Sequence, residues 1–172
     1  MLQIRSLLVP VDFSAGSDRA ARWATDLAAR FGASVTLLHV VELPRGLDPA
    51  SLVNPGGSDT IAMVPIGEWA KDSAERRLAR LARSLRFQGI SVDHEIVQGA
   101  PVQSILADAE ARHPDAIVMG THGRTGLAHA FMGSVAERVV RAATCPVITL
   151  RSDGADAQPT TAMQQADAEL AG

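Results

Sequence analysis

The chain has 172 residues, 47% of them hydrophobic and 20% charged, a balance that suits one soluble globular domain with a substantial core. The net charge is −3, aromatic residues make up 3% with no tyrosine, and the basic residues are almost all Arg and scattered, so neither the electrostatic footprint nor the stacking platform of a nucleic-acid surface is present. Met1-Leu2-Gln3-Ile4-Arg5 runs into a strand without a signal-peptide pattern, no apolar run approaches membrane-spanning length, and Cys145 stands alone, so a cytoplasmic, reducing location without disulfides is expected.

In chain order, Ser6 to Val11 reads as an apolar strand, and Ala20, Ala24, Leu27, Ala28 and Phe31 then recur at helical spacing until Gly32 stops the pattern. Val35 to Val41 is a second buried strand. Leu43 to Gly67 holds four prolines and four glycines without sustained periodicity, which predicts a functional lid or, more simply, a mobile insertion. Ala74, Leu78, Leu81, Ala82 and Leu85 mark an amphipathic helix ended by Gly89, and Ile90 to Val97 returns to strand. Pro101 suits the first position of a helix carried by Val102, Ile105, Leu106 and Ala109. A strand at Ala116 to Met119, a glycine loop, a helix bearing Val135, Ala136, Val139, Val140 and Ala143, and a last strand at Pro146 to Leu150 complete the pattern. Cys145, just before Pro146, reads as a small buried residue rather than a reactive thiol.

Strands apolar along their whole length are buried on both faces, which predicts a doubly wound α/β fold: a parallel sheet with helices on each side. Pro10 stands in tension with a central strand, softened by its place near the strand's end. Residues 152–172 are polar, acidic and without bases, and are expected to form a disordered tail after a domain spanning 1–151.

The most informative stretch is Gly120-Thr121-His122-Gly123, nine residues, then Gly133-Ser134, between an apolar strand and a helix. Glycines let backbone N–H groups approach an anion, and the unpaired N–H groups of a helix start favour negative charge. A purely structural alternative stands beside this. Ser134-Val135-Ala136-Glu137 also reads as a capping box, and Gly120, Gly123 and Gly126 as ordinary turn residues. A Walker loop is excluded because the only lysine is Lys71, and the first turn, Pro10 to Ser17, lacks the dinucleotide G-x-G-x-x-G. The five histidines and one cysteine have no metal-ligand spacing, so no metal site and no zinc are expected. His39, within an apolar strand, reads as a satisfied core histidine; His122 and His129 read as solvated loop residues or phosphate contacts. Asp12 reads equally as a turn carboxylate or a ligand contact.

These pieces resemble the universal stress protein family, in particular its ATP-binding branch with the signature G-x2-G-x9-G-[ST], which Gly120, Gly123, Gly133 and Ser134 fit. The resemblance runs from Gln3 to Arg151 through Leu8-Val9-Pro10-Val11-Asp12-Phe13-Ser14, Leu37-Leu38-His39-Val40-Val41, Val97-Gln98-Gly99-Ala100-Pro101 and Cys145-Pro146-Val147. It implies a Rossmann-like five-stranded sheet of order 3-2-1-4-5, with Asp12 and Gly120 at the switch point where open α/β sheets bind ligands. It implies that Pro10 and Val40 border an adenine, that Val11 and Met119 also belong to the nucleotide site, and that Asp12 faces ribose hydroxyls or metal-bound water. Gly120, His122, Gly123 and Arg124 would line ribose and phosphates, and Gly133, Ser134 and Val135 would donate to the outer phosphates. Mg2+ would be held mainly by phosphates and water.

The function implied is an ATP-binding stress-response regulator, a nucleotide-dependent homodimeric switch pairing through strand 146–150, with an unidentified protein partner left open. The alternatives are a slow ATPase or phosphotransfer enzyme and a nucleotide-free dimeric interaction module. No catalytic residue is assigned, since in-line attack needs a positioned nucleophile and concentrated positive charge, and only Arg124 is clearly available in the loop.

Overall fold

The run after Arg5 becomes β1 (Ser6–Pro10), buried over its last four residues. Residues 3–56, 63–86, 89–121 and 132–151 are those the structure, a computed structural model, describes. After β1 come α1 (Ala15–Phe31), β2 (Ser34–Val41), the two-residue strands β3 (Leu52–Val53) and β4 (Val64–Pro65), α2 (Ile66–Leu85) and β5 (Val92–Gln98). Then follow α3 (Pro101–Arg112), β6 (Ala116–Gly120), α4 (Ser134–Ala142) and β7 (Val147–Leu150). The main sheet is parallel throughout, in the order β5-β2-β1-β6-β7, which is the expected 3-2-1-4-5.

The continuous apolar runs are explained by burial on both faces. Leu7, Val9, Val35, Leu37 and Val118 meet Ala20, Ala24 and Ala28 of α1 and Leu78, Ala82 and Leu85 of α2. Their neighbours in sequence, Leu8, Leu38, Ile117 and Met119, point the other way onto Ile105 and Ala109 of α3 and Ala136 and Val139 of α4. Burying each such Leu or Val is worth on the order of 1.5–3 kcal/mol against exposure. Cys145 packs against this second layer but is only half-buried, less than the sequence suggested, because it sits in the turn before the edge strand. Among the described residues no helix is long and apolar enough to cross a membrane.

Pro10 is accommodated by the pairing pattern. The Val11 N–H donates to the Leu38 carbonyl of β2 at 2.8 Å, so the neighbouring position would aim its N–H at β6. The β1–β6 ladder has already ended at Leu8↔Ile117, and no bond is lost. The 43–67 stretch is more structured at its ends than its composition suggested: β3 and β4 pair antiparallel, the Ile66 N–H donates to Ser51 O at 2.8 Å and the Gly67 N–H to Pro49 O at 3.0 Å. Residues 57–62 within it, and the predicted tail at 152–172, lie outside the described residues.

Candidate functional site

The β1–β6 ladder stops at Leu8↔Ile117, yet β1 runs on to Pro10 and β6 to Gly120. Both ends stay paired on their outer sides, Pro10 with Leu38 and Gly120 with Leu150, so the two strand ends part from each other. A crevice of about 400 Å³ opens there, at the change in strand order. Pro10, Val11 and Asp12 line one side, Met119 and Gly120 the other, and Val40 lies on β2. Gly133, Ser134 and Val135 line it from the start of α4. His122, Gly123 and Arg124 lie outside the described residues.

The first lip is fixed by a closed set of hydrogen bonds. Asp12 Oδ1 accepts from the Ser14 N–H at 3.0 Å and from the Ser14 hydroxyl at 2.6 Å. Ser14 Oγ accepts the Ser17 N–H at 3.2 Å as the N-cap of α1, while Ser17 Oγ donates to Ser14 O and accepts from the Asp12 N–H. The turn role foreseen for Asp12 is therefore real. A carboxylate has about four acceptor positions, so this role and a ligand contact are compatible.

Beneath the lip, Phe13 adopts φ +63°, and its ring lies 4.4 Å from that of His39 and 4.1 Å from the Arg77 guanidinium of α2. His39 is 4% exposed and its Nδ1–H donates to Val11 O at 2.6 Å, which makes it the satisfied core histidine that its apolar strand suggested.

The second lip departs from the capping-box reading. Gly133, not Ser134, is the N-cap of α4, with no side-chain cap, so Ser134 is the first helical residue. Glu137 pairs with Arg141 at 3.0 Å instead of reaching back. The Gly133 N–H donates to Thr121 O at 2.6 Å, and the Thr121 N–H to Leu150 O at 2.9 Å, which pins Thr121 and Gly133 together beside β7. The N–H groups of Ser134, Val135 and Ala136 precede the first intrahelical bond, from Glu137 to Gly133 O, and have no partner among the described residues. All three residues line the crevice.

The crevice thus has the positive end of α4 on one side and carboxylates, Asp12 and Glu42, elsewhere along its lining. Among the described lining residues there is no Lys, Arg or His. The carboxylates whose ionisation the fold shifts lie away from it: burial raises Asp108 on α3, and backbone N–H bonds from Arg5 and Ser6 lower Asp115.

Residues 3–151 match the universal stress protein family. The chain belongs to that family. The universal stress protein MJ0531 of Methanocaldococcus jannaschii is 33% identical over 147 residues, covering 86% of this chain and 82% of that protein. Among solved structures, the universal stress protein UspA from Lactobacillus plantarum superposes with a TM-score of 0.70 at 24% identity, over 88% of this chain and all of that one. A universal stress protein in complex with cAMP gives 0.62 at 20% identity, over 88% of this chain and 100% of that one. The universal stress protein of Archaeoglobus fulgidus in complex with dAMP gives 0.58 at 24% identity, over 87% and 98%.

In this universal stress protein the crevice also includes residues that the sequence reading passed over: Ser17, Leu38, Glu42, Pro101, Ile105, Thr121 and Ala136. A signal existed for some of them. Leu38 shares Val40's side of β2, Glu42 follows the strand's last residue in the same alternation, and Ile105 lies one helical turn beyond Pro101. Thr121 and Ala136 simply adjoin expected residues.

Proposed function

We propose that the crevice binds an adenine nucleotide, ATP first, and that the chain is a cytoplasmic regulatory stress protein whose occupancy sets the state of a homodimer. The observation that carries this reading is the set of N–H groups at Ser134, Val135 and Ala136, which have no partner among the described residues and line the same crevice as Asp12 where β1 and β6 part. Such donors at a helix start suit a phosphate. The cAMP and dAMP complexes of relatives with this fold support an adenine ligand. Pro10, Val11, Val40 and Met119 would then flank the base, Asp12 would face the ribose or metal-bound water, and His122, Gly123 and Arg124 would approach the phosphates. Among the described residues no group of three or more His, Cys, Asp or Glu could hold a metal, so Mg2+ would enter with the phosphates and keep much of its water. Phosphoryl transfer would need a base and concentrated positive charge at the γ-phosphate, so holding the nucleotide is favoured over hydrolysing it.

Isothermal titration of the full chain with ATP, ADP, AMP and cAMP, with and without Mg2+, tests the reading, together with mass spectrometry of nucleotide retained through purification. Saturable binding of at least one adenine nucleotide is expected. No heat with any of them and no retained nucleotide would return the chain to the interaction-module reading.

A further inference from the structure

The arginines that look scattered in sequence align on α2. Arg76, Arg80 and Arg83 stand at i, i+4 and i+7, on the helix meridian opposite the buried Ala74, Leu78, Ala82 and Leu85. All three are exposed, and among the described residues none has a hydrogen-bond or ion-pair partner. Trp69, two turns earlier on the same meridian, is 41% exposed. Like charges at such spacings destabilise a helix, so this face gains from an opposing anion.

We propose that this arginine face is the docking surface for the chain's own acidic segment, residues 152–172. That segment carries Asp153, Asp156, Asp167 and Glu169 and no Lys or Arg. It leaves on the correct side of the sheet: Arg19 of α1 donates from Nη1 to the Arg151 carbonyl at 3.2 Å, and α1 and α2 cover the same face. Twenty-one residues reach up to roughly 70 Å, far more than the ~10–12 Å diameter of the one helix to be crossed. Asp167 and Glu169 would lie ~7 Å apart in extended chain, close to the ~6 Å rise from Arg76 to Arg80. α1 on the same face also exposes Arg22 and Arg30, but these are eight residues apart and on different meridians, so they form no continuous row. Arg138 and Arg141 of α4 cover the opposite face, and Arg141 is already paired with Glu137. A docked segment would compete with any external acidic partner for α2.

The test is amide NMR on the full-length chain, wild type against the neutralised D153N/D156N/D167N/E169Q variant. Shift changes over Arg76–Arg83 are expected at about 50 mM salt and should fade at about 0.5 M, where the screening length shrinks to about 4 Å, the length of a single ion-pair contact. In an R76Q/R80Q/R83Q background the same neutralisation should leave α2 unmoved, and R76E/R80E/R83E with D153K/D156K/D167K/E169K should restore the wild-type pattern of mutual perturbation. Unmoved α2 resonances overturn the proposal, as do changes centred on another surface. Changes that grow with protein concentration assign the contact to a second copy and overturn docking within the chain.

Discussion

Gly120 and Gly16 meet backbone to backbone: a Cβ on Gly120 would lie 2.9 Å from the Gly16 carbonyl carbon and 3.0 Å from its oxygen. The first glycine of the phosphate signature therefore has a packing duty, letting the start of α1 press against the end of β6. That contact ties the two lips together, because Gly16 lies between Ser14 and Ser17, which hold Asp12.

Gly120→Ala should accordingly act on the fold first. Neither partner atom belongs to a flexible side chain, so the backbone must shift, at a cost of about 1–3 kcal/mol by comparison with other overpacked sites. Urea unfolding should show that loss, and nucleotide affinity should fall with it. An unchanged midpoint would mean that α1 can retreat freely.

Gly133→Val separates the two kinds of glycine. Gly133 sits at φ −59°, ψ 148°, a conformation open to any L residue, so the substitution strains no backbone. It places branched bulk beside the N–H groups that open α4. Nucleotide affinity should drop by roughly tenfold or more, about 1.4 kcal/mol, while far-UV circular dichroism is preserved and the melting temperature falls only by the modest cost of replacing Gly with Val at an N-cap. Undiminished affinity measured by titration would remove α4 from the site. Ser134→Ala becomes a cleaner variant than its sequence implied: Ser134 is not the cap, so the ~0.5–2 kcal/mol of a lost cap does not apply.

Asp12→Asn addresses the double role of that side chain. The amide oxygen can still accept the Ser14 N–H, so the turn and the melting temperature should largely survive. The charge is lost, and binding of the Mg2+ nucleotide complex should weaken more than binding of metal-free nucleotide. Equal affinities with and without Mg2+ in both proteins would confine Asp12 to its turn. Asp12→Ala, by contrast, should lower stability and affinity together.

Asp115 provides a pH signature independent of any ligand. Its Oδ2 accepts the N–H groups of Arg5 at 2.7 Å and Ser6 at 3.0 Å, which lowers its folded-state pKa and joins the start of β1 to the start of β6. A lowered carboxyl pKa contributes stability that is fully present above the unfolded value, about 3.9, and is lost as pH falls through the folded value. Asp115→Ala should lower the melting temperature modestly at pH 7, the site being exposed. The gap to wild type should close as pH falls below the unfolded value and through the lowered folded one. A gap that persists in acid would point to lost packing instead.

The alternation of strand and helix, and the approach of Asp12 to Gly120, were legible because they rest on local periodicity and on a topological rule. What escaped was set by contacts distant in sequence. α2 begins at Ile66, eight residues before its first buried position at Ala74, because its opening turn hangs on Ser51 and Pro49 of the preceding loop rather than on the core. Ser134 satisfied the local capping pattern, yet the bond from Gly133 to Thr121 moved the cap back by one residue. Glu42 reached the crevice from just past the end of β2, two residues beyond Val40, a relation that becomes meaningful only once β2 lies beside β1.

The proposed homodimer can be tested on the outer edge of β7. The Ile117 N–H donates to Pro146 O and the Thr121 N–H to Leu150 O, so in a parallel ladder Ile148 also faces β6, and Val147 and Thr149 turn their backbone groups outward. Thr149→Pro removes an outward N–H without touching the β6 ladder, and proline is tolerated on an edge strand. Sedimentation velocity should show a dimer for the wild type and a monomer for the variant, with circular dichroism preserved. A wild type that sediments as a monomer at micromolar concentration would rule out edge pairing, and a variant that remains dimeric would place the interface on another surface.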